Sequence, residues 1–288
     1  MRTAVVTGAT QGLGLALVEG LAARLDPADL VLLTGRDPAR VESAVQGLAG
    51  ARARVCGRVL DVTDPGAVAS LVAELGTVDV FISNASARMT PDRPPADQVD
   101  VVVETNDLGA VRALRAVPPA LAAGGRLLVV ASSFGTLGHL DPRLRPLFDG
   151  ARTLDDVEAV VATWRAAVHD GTAEQQGWPR WLNIPSKVAQ VAAVRVVAAQ
   201  RRQDDLANGV LIAAVCPGLI DTGASRPWFT DMSQAQTPAE AASALLDLAL
   251  SGTVDPAHYG ELVRYGMVLP WRAEIDPEAR PGVTATRS

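Results

Sequence analysis

Short apolar runs rich in Val, Leu and Ile alternate along the chain with longer Ala-rich stretches of helical period. The runs fall at Thr3 to Thr7, Leu30 to Thr34, Arg54 to Leu60, Val78 to Ser83, Arg126 to Ala131, Val210 to Val215 and Gly260 to Arg264. Most lack regular polar alternation, as expected of strands covered on both faces of a parallel sheet. Between them the helical period marks 13–24, 38–48, 65–75, 97–122, 186–204 and 238–250. This alternation predicts an α/β fold: a doubly wound, mostly parallel sheet of about seven strands with helices on both faces, Rossmann-like, in a single domain. The domain is expected over 1–270, with 271–288 as a C-terminal tail.

Composition narrows the setting. With 288 residues and 48% hydrophobic content the chain can bury a substantial core. No apolar run is long enough for a membrane helix, and the start MRTAVVTGAT does not read as a signal peptide. The expected setting is the cytoplasm, with no membrane partner. Cys56 and Cys216 stand far apart without CxxC or Cys/His spacing, so neither a disulfide framework nor a metal site is predicted. A net charge of −6 with interspersed signs offers no basic stripe for nucleic acid.

The first crossover carries chemistry. TGATQGLG, Thr7 to Gly14, follows a strand and opens a helix. Gly8 permits a tight turn, Gly12 lets backbone approach a pyrophosphate, Gly14 allows close helix packing, and the helix N-terminus favours negative charge. The Gly-x-x-x-Gly-x-Gly spacing resembles the short-chain dehydrogenase/reductase family. Ser83-Asn84-Ala85-Ser86, Thr105-Asn106-Asp107-Leu108-Gly109, Val129-Val130-Ala131-Ser132-Ser133 and Cys216-Pro217-Gly218-Leu219-Ile220-Asp221-Thr222 follow in the family's order.

That resemblance implies a nicotinamide cofactor held by Gly8, Thr10, Gln11, Gly12, Leu13, Gly14, Asp61, Val62, Asn84, Ala85, Pro217, Gly218, Ile220 and Thr222. It also implies Ser133 as the active-site serine and Asn106 as the residue holding a water in a proton path. In NAD-binding relatives an acid commonly occupies the position of Gly35. Here Gly leaves room, and Arg36 can fork onto a 2′-phosphate, so the expected cofactor is NADPH/NADP.

From Ser133 to Lys187 there are 54 positions (187 − 133). The excess, about 139–180, resembles the insertion of monomeric carbonyl reductases, including Gly177-Trp178-Pro179. Within it, Thr153-Leu-Asp-Asp156 reads as a helix cap, and Leu154, Val157, Val161, Trp164 and Val168 share one face. In the family such an insertion covers the surface others use for dimer contacts, which implies a monomer.

Lys187 is the only lysine; the other 25 of the 26 basic residues are arginine (26 − 1). In WLNIPSKVAQ it matches the lysine of the family's Tyr-x-x-x-Lys, which bonds the nicotinamide ribose and lowers the pKa of the tyrosine. A compact ammonium suits two ribose hydroxyls better than a planar guanidinium. The tyrosine position holds Asn183, whose amide has no proton that titrates near neutrality. Pro185 removes a backbone donor and is tolerated in a first helical turn.

Three readings stand. In the first, an NADP(H)-dependent oxidoreductase reduces a carbonyl or enone of an apolar small molecule, polycyclic or aromatic, with Ser133 and Asn183 polarising the oxygen and water supplied through Asn106 and Lys187. In the second, the chain performs a non-redox cyclisation, dehydration or isomerisation in specialised metabolism, with His139 as a candidate acid or base. The third is a non-enzymatic NADPH-binding sensor. Trp181, Leu219 and Trp228 are the expected substrate-pocket residues.

Overall fold

The run at Thr3–Val6 forms β1, with all four residues buried. In the computed structural model, which describes residues 1–272, it is joined by β2 (Leu30–Gly35), β3 (Arg54–Val59), β4 (Val78–Ser83), β5 (Leu121–Val130), β6 (Leu211–Val215), β7 (Leu262–Arg264) and β8 (Met267–Leu269). They make one sheet in the order β3-β2-β1-β4-β5-β6-β7-β8. All neighbours are parallel except β7 and β8. The central strands are buried on both faces, as their unbroken apolar runs require.

The described residues include nine α-helices: α1 (Gly12–Arg24), α2 (Pro38–Gln46), α3 (Ala67–Leu75), α4 (Val99–Val102), α5 (Gly109–Ala116), α6 (Arg145–Asp149), α7 (Leu154–His169), α8 (Asn183–Ala207) and α9 (Pro238–Ala249). Helix α1 packs on α9, while α3, α5 and α8 lie side by side with α7 against α8. Doubly wound α/β architecture is thus observed, with differences of detail.

The sheet has eight strands rather than about seven. Tyr265 (φ 49°) and Gly266 (φ 73°) form a two-residue turn that folds Met267–Leu269 back onto β7. The helix expected over 97–122 is interrupted: a π-helical turn, Val103–Leu108, separates α4 from α5, and Pro118 closes the segment. Strand β5 begins at Leu121, ahead of the expected Arg126, through a register shift opposite Val78 and Val80. In sequence, its Gly124-Gly125 reads as a turn. Within the expected tail, Trp271 and Arg272 dock on Asp149 (3.0 and 2.8 Å); 273–288 lie outside the described residues.

Residues 139–180 hold α6 and α7. Thr153 Oγ1 accepts from the Asp156 amide and Asp156 accepts from the Thr153 amide, closing a capping box. Val157, Val161, Trp164 and Val168 are buried on the inner face of α7, with Leu154 packed alongside.

Candidate active site

The glycine-rich turn is tied to the end of β4 where the strand order reverses, the crevice in which such sheets bind ligands. Thr7 Oγ1 accepts from the amides of Asn84 (2.9 Å) and Ala85 (3.0 Å), and Asn84 Nδ2 donates to the carbonyls of Thr7 (2.9 Å) and Gly8 (3.2 Å). Gly8 has φ 63°, and a Cβ there would lie 2.7 Å from Ala85 Cα. Gly12 (φ 56°) opens α1 on the unfilled side, where a Cβ would meet only Thr222 Cγ2 at 3.8 Å. A dinucleotide pyrophosphate fits this cradle, between the first amides of α1 and Thr222. Thr10, Gln11 and Leu13 sit in the same turn, with Leu13 buried beneath it.

At the end of β2 the backbone of Gly35 is closely covered: a Cβ there would lie 2.7 Å from Thr10 Cγ2 and 3.3 Å from Val41 Cγ2. A side chain at this position would have to displace the Thr10 methyl. Arg36 is exposed beside the turn, and Arg40, which sequence reading missed, donates from Nη2 to Gln11 Oε1. Arg40 stands in the first turn of α2, beside the glycine-rich turn. Burial pushes Asp61 up, but the Thr63 amide (2.9 Å) and hydroxyl (2.8 Å), helped by Arg36 and Arg112, hold its carboxyl below the usual range. Val62 accepts at its carbonyl from Arg112 (2.9 Å) and packs beside Gly109.

Beyond β6, Cys216-Pro217-Gly218 turns sharply, with Gly218 at φ 83°. Gln236 closes this loop: its amide donates to the Leu219 carbonyl (2.9 Å), and its Nε2 to the Pro217 carbonyl (3.3 Å) and to Tyr265 Oη. Ile220 pairs with Gln236 in a bridge, and Thr222 is braced by Ser225.

Helix α8 starts at Asn183, and Pro185 falls inside its first turn, where its missing donor costs nothing. Lys187 is buried, and its Nζ donates to the Val130 carbonyl (3.0 Å) and to Gln190 Oε1 (2.8 Å). Gln190 Nε2 donates in turn to the Asn106 carbonyl (2.9 Å). A glutamine amide therefore joins the lysine to the carbonyl of the very asparagine expected to hold a water between them. Asn106 Oδ1 accepts from Ala87 N (2.7 Å), and its Nδ2 donates to Ser186 Oγ (3.3 Å). Ser186 Oγ donates to Asp107 Oδ1 (2.7 Å). Burial drives Asp107 up to about 8 against the Ser186 hydrogen bond and the Lys187 charge. Burial likewise lowers Lys187 to about 8, opposed by Asp107. Burial thus works against the charge on both groups, and the two titrate as a coupled pair.

Ser133 and Asn183 both line one cavity of about 580 Å³. Its wall is aromatic: Trp181 sits edge-on to Phe134 (5.0 Å between centroids), tilted over Trp228 (5.3 Å) and near Phe229 (6.1 Å). Trp228 Nε1 donates to the Met89 carbonyl (3.3 Å). Leu219 and Ile220 also line it, so Trp181, Leu219 and Trp228 come together at this cavity. His139 does not join them. Its Nδ1 lies 3.1 Å from Thr136 Oγ1 and its ring stands edge-on to Phe134 at 5.2 Å, so it is not among the described lining residues.

The family model for short chain dehydrogenases matches residues 2–140. Carbonyl reductase (NADPH) 3 of Mus musculus is 30% identical over 284 residues, 94% of this chain and 98% of that one. The chain belongs to the short-chain dehydrogenase/reductase family. Carbonyl reductase (NADPH) 1 of Sus scrofa is 28% identical, covering 99% of this chain and 98% of that protein. The structure of salutaridine reductase from Papaver somniferum superposes with a TM-score of 0.76 at 22% identity, covering 91% of this chain and 99% of that chain, a likeness of fold. A short-chain dehydrogenase/reductase works with a nicotinamide cofactor on a small molecule, which the cradle and the adjoining cavity suit. Among the described residues no group of His, Cys, Asp and Glu could hold a metal ion, and no helix is long and apolar enough to cross a membrane.

Proposed function

We propose that this chain is an NADPH-dependent reductase of activated carbonyls or enones on apolar, aromatic or polycyclic molecules. One observation carries the reading: Ser133 and Asn183, two uncharged hydrogen-bond donors, line an aromatic-walled cavity whose only described lining carboxylate, Asp231, is held ionised by Ser233. When bound, the cofactor supplies hydride. Arg36 and Arg40 favour its 2′-phosphate form; the mouse and pig relatives are themselves named for NADPH. The Ser133 hydroxyl and Asn183 amide donate to the substrate oxygen and stabilise its developing charge. Lys187 holds its place through Val130 and Gln190, leaving a third N–H for a ribose hydroxyl.

The proton comes from solvent. Gln190 joins Lys187 to Asn106 with an amide, which does not titrate near neutrality and so does not relay protons as water does. Losing a positioned acid costs about 10²- to 10⁴-fold in rate. The loss falls hardest on simple ketones, whose alkoxides are strongly basic, and least on enones and quinones, whose reduced anions are weak bases.

The same Gln190 bridge favours a second reading, a non-redox isomerisation or cyclisation in which the donors hold an enolate. A panel of quinones, enones and simple ketones separates the two. NADPH should be consumed with quinones and enones and hardly at all with ketones. Tight NADPH binding with no consumption on any acceptor would remove the redox reading. The Arg36→Ala variant should lose preference for NADPH over NADH; an unchanged preference removes the 2′-phosphate assignment.

A further inference from the structure

Arg264, at the end of β7, lines the same cavity as Ser133 and Asn183. Its Nε is buried without a hydrogen-bond partner, and its guanidinium has no ion-pair partner among the described residues. It lies over the Tyr265 ring at 5.1 Å. Three other partly buried arginines have carboxylates: Arg112 with Glu104 (3.1 Å), Arg201 with Asp205 (2.9 Å), and Arg195 with Glu261. Arg126, whose Nε is also unpartnered, is held instead by the backbone carbonyls of Gly124, Gly125, Gly209 and Ser251. Asp231, the described carboxylate on the cavity wall, accepts from the Ser233 amide (2.8 Å) instead. A cation half out of water without a counter-charge is costly unless a ligand supplies one.

The position is built. Tyr265 occupies the left-handed region (φ 49°) in a turn that Asn-Gly usually fills. In that conformation its ring supports the guanidinium while its Oη accepts from Gln236 Nε2 and packs against Gly218. The phosphate cradle does not claim this arginine. It lies at the end of β1, four strands from β7 in the sheet, about 19 Å at ordinary strand spacing.

We infer that the cavity takes an aromatic molecule bearing a carboxylate, its rings against Trp181, Trp228 and Phe229 and its carboxylate on the Arg264 guanidinium. A planar fork matches a carboxylate with two parallel N–H···O bonds. The inference rests on the proposed function for the claim that such a molecule is the substrate, whereas the carboxylate site stands on Arg264 alone.

The probes are 2-naphthoate and 2-naphthamide, titrated against the full chain saturated with NADP⁺ and followed by tryptophan fluorescence and calorimetry. Wild type should bind naphthoate about tenfold or more tightly than the amide. Arg264→Gln should abolish that difference while leaving naphthamide and NADP⁺ binding unchanged, and Arg264→Lys should keep part of it. Absence of carboxylate selectivity in wild type, including failure of both probes to bind, overturns the inference. So does a variant that weakens both probes equally or weakens NADP⁺ instead. Carboxylate selectivity without NADPH consumption on any acceptor sinks the redox reading alone; consumption without selectivity sinks this inference alone.

Discussion

On the function proposed here Asn183 and Gln190 act together. Asn183 puts an amide at the cavity where the family's tyrosine is expected, and Gln190 puts an amide between Lys187 and Asn106. Restoring the phenol alone therefore restores a donor whose proton is not resupplied through the helix. Asn183→Tyr should raise ketone reduction modestly, by about tenfold, and Asn183→Tyr with Gln190→Val should raise it by about tenfold more, within the range a positioned acid contributes. Steady-state rates on one simple ketone decide it; equal rates in the single and double variants mean that Gln190 does not interrupt proton supply. Asn183 was legible from its four-residue spacing to a lone lysine. Gln190 was not, because a glutamine one turn beyond that lysine reads as an ordinary helical residue until the Asn106 carbonyl is brought opposite it. Arg264 was hidden for a similar reason: in an arginine-rich chain, only its place on the cavity wall with an unpartnered Nε distinguishes it.

Between α4 and α5 the π-helical turn carries a buried polar group into the sheet-side layer. Thr105, Asn106 and Asp107 are all buried there, and Asp107 Oδ2 has no hydrogen-bond partner. Periodicity showed an amphipathic stretch over 97–122 but could not show the interruption, since one extra residue in a turn shifts the apolar face only locally. Likewise β8 is three residues long and partly exposed, too short for alternation to register. Asp107 gives the turn a measurable property. Its folded pKa is raised to about 8 from 3.8, so between those values the native state keeps a proton that the unfolded chain releases. Its contribution to stability therefore falls as pH rises from about 4 to about 8 and is level beyond. The stability of Asp107→Asn relative to wild type should increase over that interval, as read by urea midpoints at several pH values. A difference independent of pH would mean that the carboxyl is ionised throughout.

The inserted helix decides what the whole molecule presents to its neighbours. α7 packs on α8, α4 and the π-helical turn, and Trp164 is fully buried. Charges stitch its rim: Arg165 meets Asp100 (2.7 Å) and Glu104 (3.3 Å), His169 meets Asp100 (2.8 Å), and Arg115 holds Asp155 and Glu158. We propose that this cover keeps a second copy from that surface of α8. The large apolar side chains left exposed, such as Val59, Val101, Leu147 and Met267, stand on separate elements, whereas a stable homodimer needs about 1,000 Å² or more of contiguous interface. Sedimentation at micromolar concentration should thus give a single species of 30.0 kDa. Trp164→Ala should cost about 3–5 kcal/mol and lower the melting temperature, because α7 loses its anchor over that face. A wild-type dimer in sedimentation would show that the insertion does not seal this surface, and an unshifted melt in the variant would show that Trp164 does not fasten α7.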